Sequence, residues 1–297
     1  MPSRVSTVLR SAIRGFRPFL NNLSLEFERA GQDFLARGET RHLPEGMLVA
    51  PVSIGHMRAE WFHTLGAEEE EAIIYFHGGA YMAGSIESNR PLAVDFAQVT
   101  KCNVLSFEYR LAPEHPHPAA LEDALSAYEY VLGLGVKPER IAFVGDSAGG
   151  GLELAAVLKA REKGIPLPAA IVALSPWVDL TLRGETYVKN EKADPLLERK
   201  KLIRAVMYYA YGQSLTDPFI SPIYGDFEGF PPVLIHVGTN ELLLSDALGL
   251  ALKLSRANVE VTLEQWEGMW HVWHVFDIPE SREAMERISR YIMGRIG

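Results

Sequence analysis

The sequence predicts an α/β protein with a mostly parallel central sheet flanked by helices. Short apolar runs bounded by turn residues alternate along the chain with longer segments of helical periodicity. Apolar runs of this length are typical of strands buried on both faces, and their alternation with helices is typical of parallel sheets. The predicted strands cover residues 47–54, 58–64, 72–76, 103–109, 141–144, 169–174, 233–237 and 260–265. The predicted helices cover residues 91–100, 119–132, 152–160, 202–211, 245–257 and 281–296.

Length and charge exclude several classes of protein. The 297 residues are enough for one large α/β domain, and 38 acidic against 29 basic residues give a net charge of −9. A chain this acidic lacks the basic stripe that nucleic acids require. The single cysteine, Cys102, cannot form an internal disulfide. Because the chain also lacks an apolar run long enough for a transmembrane helix and the apolar core of a signal peptide, we expect a cytoplasmic protein.

Residues 1–45 and residues 183–215 do not follow the alternation. We expect them to form a helical cap over the strand ends, with the α/β domain built from residues 46–182 and 216–297. The first segment interleaves arginines with apolar residues at rough helical spacing, and Pro18 is expected to break it into two helices. A basic amphipathic start suits either a membrane surface or packing on the protein, and the acidic residues that follow favour packing.

The turn after the strand at 141–144 is the most informative stretch. Gly145-Asp146-Ser147-Ala148-Gly149 fits the pattern G-x-S-x-G, and a helix is predicted after it. A turn this tight forces the serine into strained backbone geometry, and glycines two residues to either side keep Cβ atoms away. The hydroxyl then stands exposed beside the N–H groups that begin the helix. Ser147 is therefore predicted to be a nucleophile, rather than an idle residue of a glycine-rich turn.

A serine nucleophile needs a base, and imidazole suits that role because its pKa lies near neutral pH. In proteins with this turn the acid and then the histidine follow the serine along the chain. Three histidines follow Ser147, namely His236, His271 and His274. His236 lies within a predicted strand and is expected to be structural. The other two lie after the last strand, where a loop can bring either side chain back to the serine.

The acid is expected just after the strand at 233–237, where Glu241 and Asp246 are the candidates. Its role is to accept the imidazole Nδ1 proton, fix the tautomer and stabilise the imidazolium. Glu241 is closer to the strand end, from which a side chain can reach a histidine. Asp246 is expected instead to cap the helix that begins near Ser245.

A developing oxyanion needs preorganised N–H donors. Ala148, the residue after the nucleophile, is expected to supply one. The others are expected from the loop His77-Gly78-Gly79-Ala80, whose glycines let the backbone approach a substrate. We expect the N–H groups of Gly78 or Gly79 to act together with that of Ala148.

Five motifs together resemble the hormone-sensitive-lipase-like family of α/β-hydrolases, especially its bacterial carboxylesterases. They are HGGAY (His77 to Tyr81), YRLAPEHPHPAALED (Tyr109 to Asp123), GDSAGG (Gly145 to Gly150), SPWVDL (Ser175 to Leu180) and HVWH (His271 to His274). Their order extends over nearly the whole chain. The resemblance implies an α/β-hydrolase fold with an eight-stranded sheet, a helical cap formed by the N-terminus and an insertion, no metal or cofactor, and hydrolysis of short acyl esters.

The resemblance also implies roles at the site. Family histidine loops read G-M-x-H-x-[FW], which places the base at His271, and the acid position aligns with Glu241. Asn240 stands where many relatives carry a second acidic residue. Ala80 replaces the last glycine of the commoner HGGG. Its N–H group is retained and can contribute to oxyanion binding, while its methyl group narrows the space for bulky substrates.

The sequence therefore predicts a serine carboxylesterase that hydrolyses short-to-medium acyl esters through an acyl-enzyme intermediate. We expect an apolar acyl pocket under the cap, with Tyr208, Tyr209 and Met82 in its lining. The resemblance implies a homodimer that pairs through the edge strand Glu260 to Gln265. Two alternatives stay open: an amidase, lactonase or lipase on the same residues, and a non-catalytic small-molecule receptor. The presence of His271 and an acid disfavours the receptor.

Overall fold

Eight strands form one sheet in the computed structural model, which describes residues 1–20 (backbone only from 16), 24–31, 43–68 and 70–297. The strands are β1 (Met47–Ile54), β2 (Met57–Thr64), β3 (Ala72–Phe76), β4 (Asn103–Phe107), β5 (Ile141–Asp146), β6 (Ala170–Leu174), β7 (Val233–Gly238) and β8 (Val261–Trp266). Their order in the sheet is β1-β2-β4-β3-β5-β6-β7-β8. The pairs β1–β2 and β2–β4 are antiparallel, and the other pairs are parallel. The predicted α/β class with a mostly parallel sheet is confirmed.

The five strands in the middle of the sheet, β4, β3, β5, β6 and β7, are buried along their whole length. Successive side chains of a strand point to opposite faces. Accordingly, Ile74 and Phe143 pack into one core, and Ile73 and Val144 pack into the other. Burial on both faces explains why these strands are nearly continuous apolar runs in the sequence.

Helices cover both faces of the sheet. In the described part of the chain they are α1 (Arg4–Leu20), α2 (residues 25–31), α3 (Ile86–Thr100), α4 (Ala119–Gly133), α5 (Ala148–Glu162), α6 (Thr186–Lys189), α7 (Arg199–Ala210), α8 (Leu244–Arg256) and α9 (Pro279–Ile296). Buried residues of α4, α5 and α8 belong to one core, and those of α3 and α9 belong to the other. None of these helices combines the length and the apolar composition that a membrane span needs.

Two of the differences between predicted and observed helix ends concern a proline. Helix α3 begins at Ile86 rather than at Pro91, because the side chains of Ser85 and Ser88 form a capping box. Helix α1 runs through Pro18 to Leu20, so the predicted break there is wrong. Because Pro18 lies near the end of α1, its missing N–H removes a helical hydrogen bond without ending the helix.

The N-terminal helices lie on the α/β body. Leu9 and Ile13 of α1 pack against a cluster that includes Trp270, and Arg29 of α2 donates to the carbonyl of Met82. This is the packing that the sequence favours for the basic start of the chain. The division into a cap and an α/β domain stays a prediction, and its residues 21–23 and 32–42 lie outside the described residues.

Candidate active site

The turn between β5 and α5 holds Ser147 in a strained conformation. Its φ is +54°, in the left-handed region that residues with a side chain rarely adopt. The flanking glycines are required because other parts of the backbone pass too close for a side chain. A Cβ at Gly149 would lie 1.9 Å from the carbonyl oxygen of Phe76. The turn therefore presents the hydroxyl at the carboxyl end of the sheet, as the G-x-S-x-G pattern predicts.

Ser147, His271 and Glu241 form one chain of hydrogen bonds. The Ser147 hydroxyl donates to Nε2 of His271 at 2.9 Å, and the Nδ1–H of His271 donates to Oε2 of Glu241 at 3.0 Å. All three side chains are buried. The structure thus brings together the three residues that the sequence selects, from the ends of β5 and β7 and from the loop after β8.

The second oxygen of Glu241 is also held. Oε1 accepts the N–H of Gly238 at 2.5 Å and the hydroxyl of Ser175 at 3.0 Å. These two donors fix the carboxylate so that Oε2 faces the imidazole. Such support fixes the ring orientation and the tautomer of the histidine.

Asp246, the other candidate acid, faces a different part of the molecule. Its Oδ2 accepts the N–H groups of Val178 and Asp179 at 3.1 and 2.9 Å. The expectation that Asp246 caps its helix is wrong, because the buried carboxyl turns to the loop after β6 instead and makes no cap hydrogen bond in α8.

The charges around His271 favour its protonated form. Burial lowers the pKa of His271, but the hydrogen bond and charge of Glu241 raise it, and the charges of Asp194 and Asp146 raise it further. The result is a pKa above the ordinary value of 6.5. A stronger base accepts the serine proton more readily.

His236 and His274 form a separate buried pair. Nδ1 of His236 lies 3.2 Å from Nε2 of His274, and Nε2 of His236 lies 3.2 Å from Oε2 of Glu264. Burial lowers the pKa of both imidazoles. This placement agrees with a structural role for His236, and it gives His274 a partner other than the serine.

One expected oxyanion donor is engaged elsewhere. The N–H of Gly78 donates to Oδ1 of Asp146 at 2.9 Å, and the Tyr75 hydroxyl donates to the same oxygen at 2.7 Å. The expectation for Gly78 therefore does not hold, because a carboxylate already accepts its N–H. Gly79 and Ala80 line the cavity next to the hydroxyl. Their N–H groups are the donors that remain in this loop.

His77 shapes the same loop from within the protein. Its Nδ1–H donates to the carbonyl of Gly78 at 2.7 Å, and its ring stacks on Tyr109 at a centroid distance of 4.2 Å. Burial lowers the pKa of His77 to about 4, so the ring is neutral at pH 7. Both aromatic residues belong to motifs that the sequence singles out, but their contact is visible only in the structure.

Sequence reasoning missed three residues that hold the site, namely Ser175, Asn190 and Asp194. The Ser175 hydroxyl donates to Glu241 and accepts the N–H of Val272 at 3.1 Å, so it joins the acid to the histidine loop. The motif SPWVDL includes this serine without indicating a role for it. Asn190 and Asp194, which lie in the predicted cap insertion, carry no local signal, because their partners around Glu241 lie 48 to 51 positions further along the chain.

A cavity of about 470 Å³ opens over Ser147 and His271. Its described lining is mainly apolar and includes Leu25, Phe27, Met82, Ala83, Leu196, Leu197, Leu202, Val272 and Val275. Met82 is thus in the lining, as expected. Tyr208 and Tyr209 are not, because Tyr208 is exposed on α7 and Tyr209 is buried against Tyr81 with ring centroids 3.7 Å apart.

The fold and this geometry together define a serine hydrolase of the α/β-hydrolase type. In that fold the serine follows a central strand on a sharp turn, the acid follows a later strand, and the histidine comes last in the chain. A hydroxyl bonded to an imidazole, itself bonded to a carboxylate, is the arrangement that activates serine for attack on a carbonyl carbon.

Comparison with known proteins narrows this class. A family model for the alpha/beta hydrolase fold matches residues 73–275. An acetyl-hydrolase of Streptomyces hygroscopicus is 39% identical over 248 residues, which are 83% of this chain and 83% of that protein. An esterase of Acinetobacter venetianus is 33% identical over 246 residues, 82% of this chain and 81% of that protein.

Solved structures extend the similarity to the full length. A crystal structure of an esterase from the bacterial hormone-sensitive lipase family is 34% identical, covers 100% of both chains and superposes with a TM-score of 0.93. A crystal structure of EstE5 soaked with p-nitrophenyl butyrate is 33% identical over 99% of both chains, with a TM-score of 0.92. The chain therefore belongs to the α/β-hydrolase family, among the bacterial hormone-sensitive-lipase-like carboxylesterases, and the resemblance seen in the motifs is confirmed.

Proposed function

We propose that this protein is a serine carboxylesterase for esters with short-to-medium acyl chains. The observation that supports it most is the hydrogen-bonded chain from Ser147 through His271 to Glu241, which opens into a mainly apolar cavity. An activated hydroxyl attacks a carbonyl carbon, and apolar walls suit an uncharged acyl chain. The relatives named acetyl-hydrolase and esterase support the same substrate class.

In the proposed mechanism, the Ser147 oxygen attacks the ester carbonyl carbon while Nε2 of His271 takes the hydroxyl proton. The tetrahedral intermediate collapses, the bond to the alcohol oxygen breaks, and His271 returns the proton to that oxygen. Water then attacks the acyl-serine ester by the same route, which releases the carboxylic acid and regenerates the hydroxyl. Glu241 holds the Nδ1–H and stabilises the imidazolium in both halves.

We propose that the N–H groups of Gly79, Ala80 and Ala148 bind the oxyanion. Ala148 begins α5, where helix geometry provides no acceptor for its N–H. Gly79 cannot carry a side chain, because a Cβ would lie 2.0 Å from the carbonyl oxygen of Ala83. Asp146 supports this loop by binding the preceding N–H. One such donor typically lowers the barrier by about 3 kcal/mol.

Hydrolysis of p-nitrophenyl esters, from acetate to palmitate, tests this function. We expect turnover to be highest for short-to-medium chains, since the cavity measures about 470 Å³. We expect Ser147→Ala and His271→Ala each to lower kcat by about 10⁴-fold or more while the unfolding midpoint changes little. No turnover with any ester by a folded protein would contradict the proposal. Turnover of anilides, lactones or long-chain emulsions would instead indicate an amidase, a lactonase or a lipase. Ligand binding without turnover would indicate a receptor.

The acid assignment has its own matched pair of variants. Glu241→Gln is expected to lower kcat by about 10³- to 10⁴-fold, because the wrong tautomer of the histidine is then stabilised. Asp246→Asn replaces another buried carboxyl that is bound to backbone N–H groups of the loop after β6, and turnover should remain close to wild type. The reverse order would reassign the acid.

We further infer a cytoplasmic homodimer. Among the described residues, strand β8 lies at the edge of the sheet beside β7, and edge strands present a row of backbone groups for pairing. Cys102 is a free, buried thiol, which suits a reducing compartment. Light scattering after size-exclusion chromatography should give twice the chain mass of 33.0 kDa. A monomer mass would contradict the dimer, and secretion from the native cells would contradict the location.

A further inference from the structure

The cap insertion binds the backbone on both sides of the proposed acid. The side-chain amide of Asn190 donates to the carbonyls of Thr239 and Glu241 at 3.2 and 2.9 Å. Oδ2 of Asp194 accepts the N–H of Leu242 at 3.0 Å. The peptide groups around Glu241 are therefore held from the cap, whereas its carboxylate is held from the sheet.

Asp194 also holds a wall of the cavity. Its Oδ1 accepts the N–H groups of Leu196 and Leu197, both at 2.9 Å. These leucines line the cavity over Ser147. An aspartate that only closed its own turn would need one oxygen for that purpose. The second oxygen of Asp194 crosses to the loop after β7, so one carboxylate joins the cavity wall to the acid loop.

The charge of Asp194 acts on the imidazole. Asp194 is fully buried, and its charge and that of His271 each favour the ionised form of the other. Burial raises the pKa of Asp194 to about 6, so the carboxyl is mostly ionised at neutral pH. The titratable groups that act on His271 are Glu241 after β7, Asp194 from the cap, Asp146 at the end of β5, and His274 from its own loop.

We propose that Asp194 is a positioning residue for the reaction: it fixes the backbone that aims Glu241 at His271, and its negative charge adds to those of Glu241 and Asp146 in favouring the imidazolium. The part of this inference that concerns catalysis rests on the proposed function. The effect of the Asp194 charge on the pKa of His271 is present without any substrate. Asn190 also holds the backbone around Glu241. Because its side chain is neutral, it does not contribute to the charge that favours the imidazolium.

Three variants test this inference. Asp194→Asn keeps the size and one oxygen acceptor, but it removes the charge. We expect kcat to fall by about 10- to 100-fold with little change in KM, as a small misplacement of a catalytic group does. Asn190→Ala should lower kcat through positioning alone. Asp246→Asn is the control for losing a buried carboxyl that accepts two backbone N–H groups, and it removes little charge at neutral pH because burial raises the pKa of Asp246 to about 8.

The pH dependence separates positioning from stability. The acid limb of kcat/KM reports the pKa of His271, which must be neutral to accept the serine proton. Losing the charge of Asp194 removes an interaction that raises this pKa, so the limb should move to lower pH in Asp194→Asn and stay in place in the other two variants. NMR titration of labelled histidine should show the same shift without any substrate.

The outcomes are distinguishable. An unchanged His271 titration in Asp194→Asn overturns the inference, and so does a loss of kcat that only follows the loss of folded protein by circular dichroism. If Asp194→Asn does not fold, Asn190→Ala provides the test. An unchanged kcat in Asn190→Ala would show that holding the backbone around Glu241 does not matter for turnover, and this would overturn the positioning role. A wild type that hydrolyses no ester, with a shifted NMR titration in Asp194→Asn, refutes the proposed function while the charge effect of Asp194 stands.

Discussion

At the residue scale, buried carboxyl groups of this protein differ in how many partners they find. Glu241 accepts three hydrogen bonds, from Gly238, Ser175 and His271. Glu153 of α5 is equally buried, yet neither of its oxygens has a hydrogen-bond partner among the described residues. Burial raises the pKa of Glu153 well above its ordinary value of 4.5, so the folded protein favours the protonated form of this carboxyl.

Glu153→Met should stabilise the protein. The substitution keeps the length of the side chain and removes a buried polar group, so we expect the free energy of unfolding at neutral pH to rise by about 1–3 kcal/mol. The unfolded chain releases this proton near pH 4.5 and the folded protein holds it to higher pH, so the wild type loses stability as pH rises and the difference between the two proteins grows.

Urea denaturation at acidic and neutral pH measures that difference. Glu162→Met, at the exposed end of the same helix, is the control and should change the free energy of unfolding by less than about 0.5 kcal/mol. A less stable Glu153→Met would mean that the carboxyl has a polar partner in the folded protein.

Single residues also show what sequence reasoning can select. A local turn pattern selects Ser147, and the histidine-loop pattern of the resembling family selects His271, whose Nε2 lies 2.9 Å from the serine oxygen in the structure. Gly78 was assigned wrongly because the direction of its N–H depends on Asp146, which lies 68 positions away. No pattern within the HGGA segment carries that information.

At the element scale, one arginine joins α2 to the body of the protein. Arg29 donates to the carbonyls of Met82 and Ala112 at 2.6 and 2.9 Å. It also forms a bidentate ion pair with Glu114, with distances of 2.8 and 2.9 Å. Met82 lines the cavity, as do residues of α2. Arg29 therefore positions two walls of the cavity relative to each other.

Arg29→Ala should weaken the binding of longer esters. We expect KM for p-nitrophenyl hexanoate to rise by about tenfold, which corresponds to about 1.4 kcal/mol, while kcat for the acetate changes little. Arg58→Ala is the control, because that arginine also forms ion pairs with glutamate side chains, here Glu87 and Glu108, but is mostly exposed and lies outside the cavity lining. If Arg29→Ala instead lowered kcat for the acetate by about tenfold, Arg29 would act on the oxyanion loop rather than on the cavity.

Whole elements could be predicted to the extent that burial left a pattern in the sequence. Strands β3 to β7 are buried on both faces, and their apolar runs identified them within a few residues. The start of α3 was missed because a hydrogen-bonded pair of serines, Ser85 and Ser88, sets it, while Pro91 is a stronger local signal. Local propensity misled there because capping is decided by side-chain contacts.

At the scale of the whole molecule, the ends of β6, β7 and β8 converge on one hydroxyl. Ser175 follows β6, donates to Glu241 after β7, and accepts the N–H of Val272 after β8. These partners lie 66 and 97 positions further along the chain. The sequence does not show which strand ends are neighbours, and for that reason the role of Ser175 becomes visible only in the assembled sheet.

Ser175→Ala tests whether this hydroxyl coordinates the three loops. The variant leaves the N–H of Val272 buried without its acceptor, so we expect the free energy of unfolding to fall by about 1–3 kcal/mol. We also expect kcat to fall by about 10- to 100-fold with little change in KM, because Glu241 loses one of the two donors that aim it.

Ser221→Ala is the matched control for this last prediction. The Ser221 hydroxyl is as buried as that of Ser175 and accepts the N–H of Leu180 at 2.9 Å, but it contacts neither the acid nor the histidine loop. It should lower stability by a similar amount and leave kcat unchanged. Equal losses of kcat in both variants would assign the effect to stability. An unchanged kcat in Ser175→Ala would mean that Glu241 and His271 orient each other without the hydroxyl, and that the convergence of the three strand ends serves folding rather than the reaction.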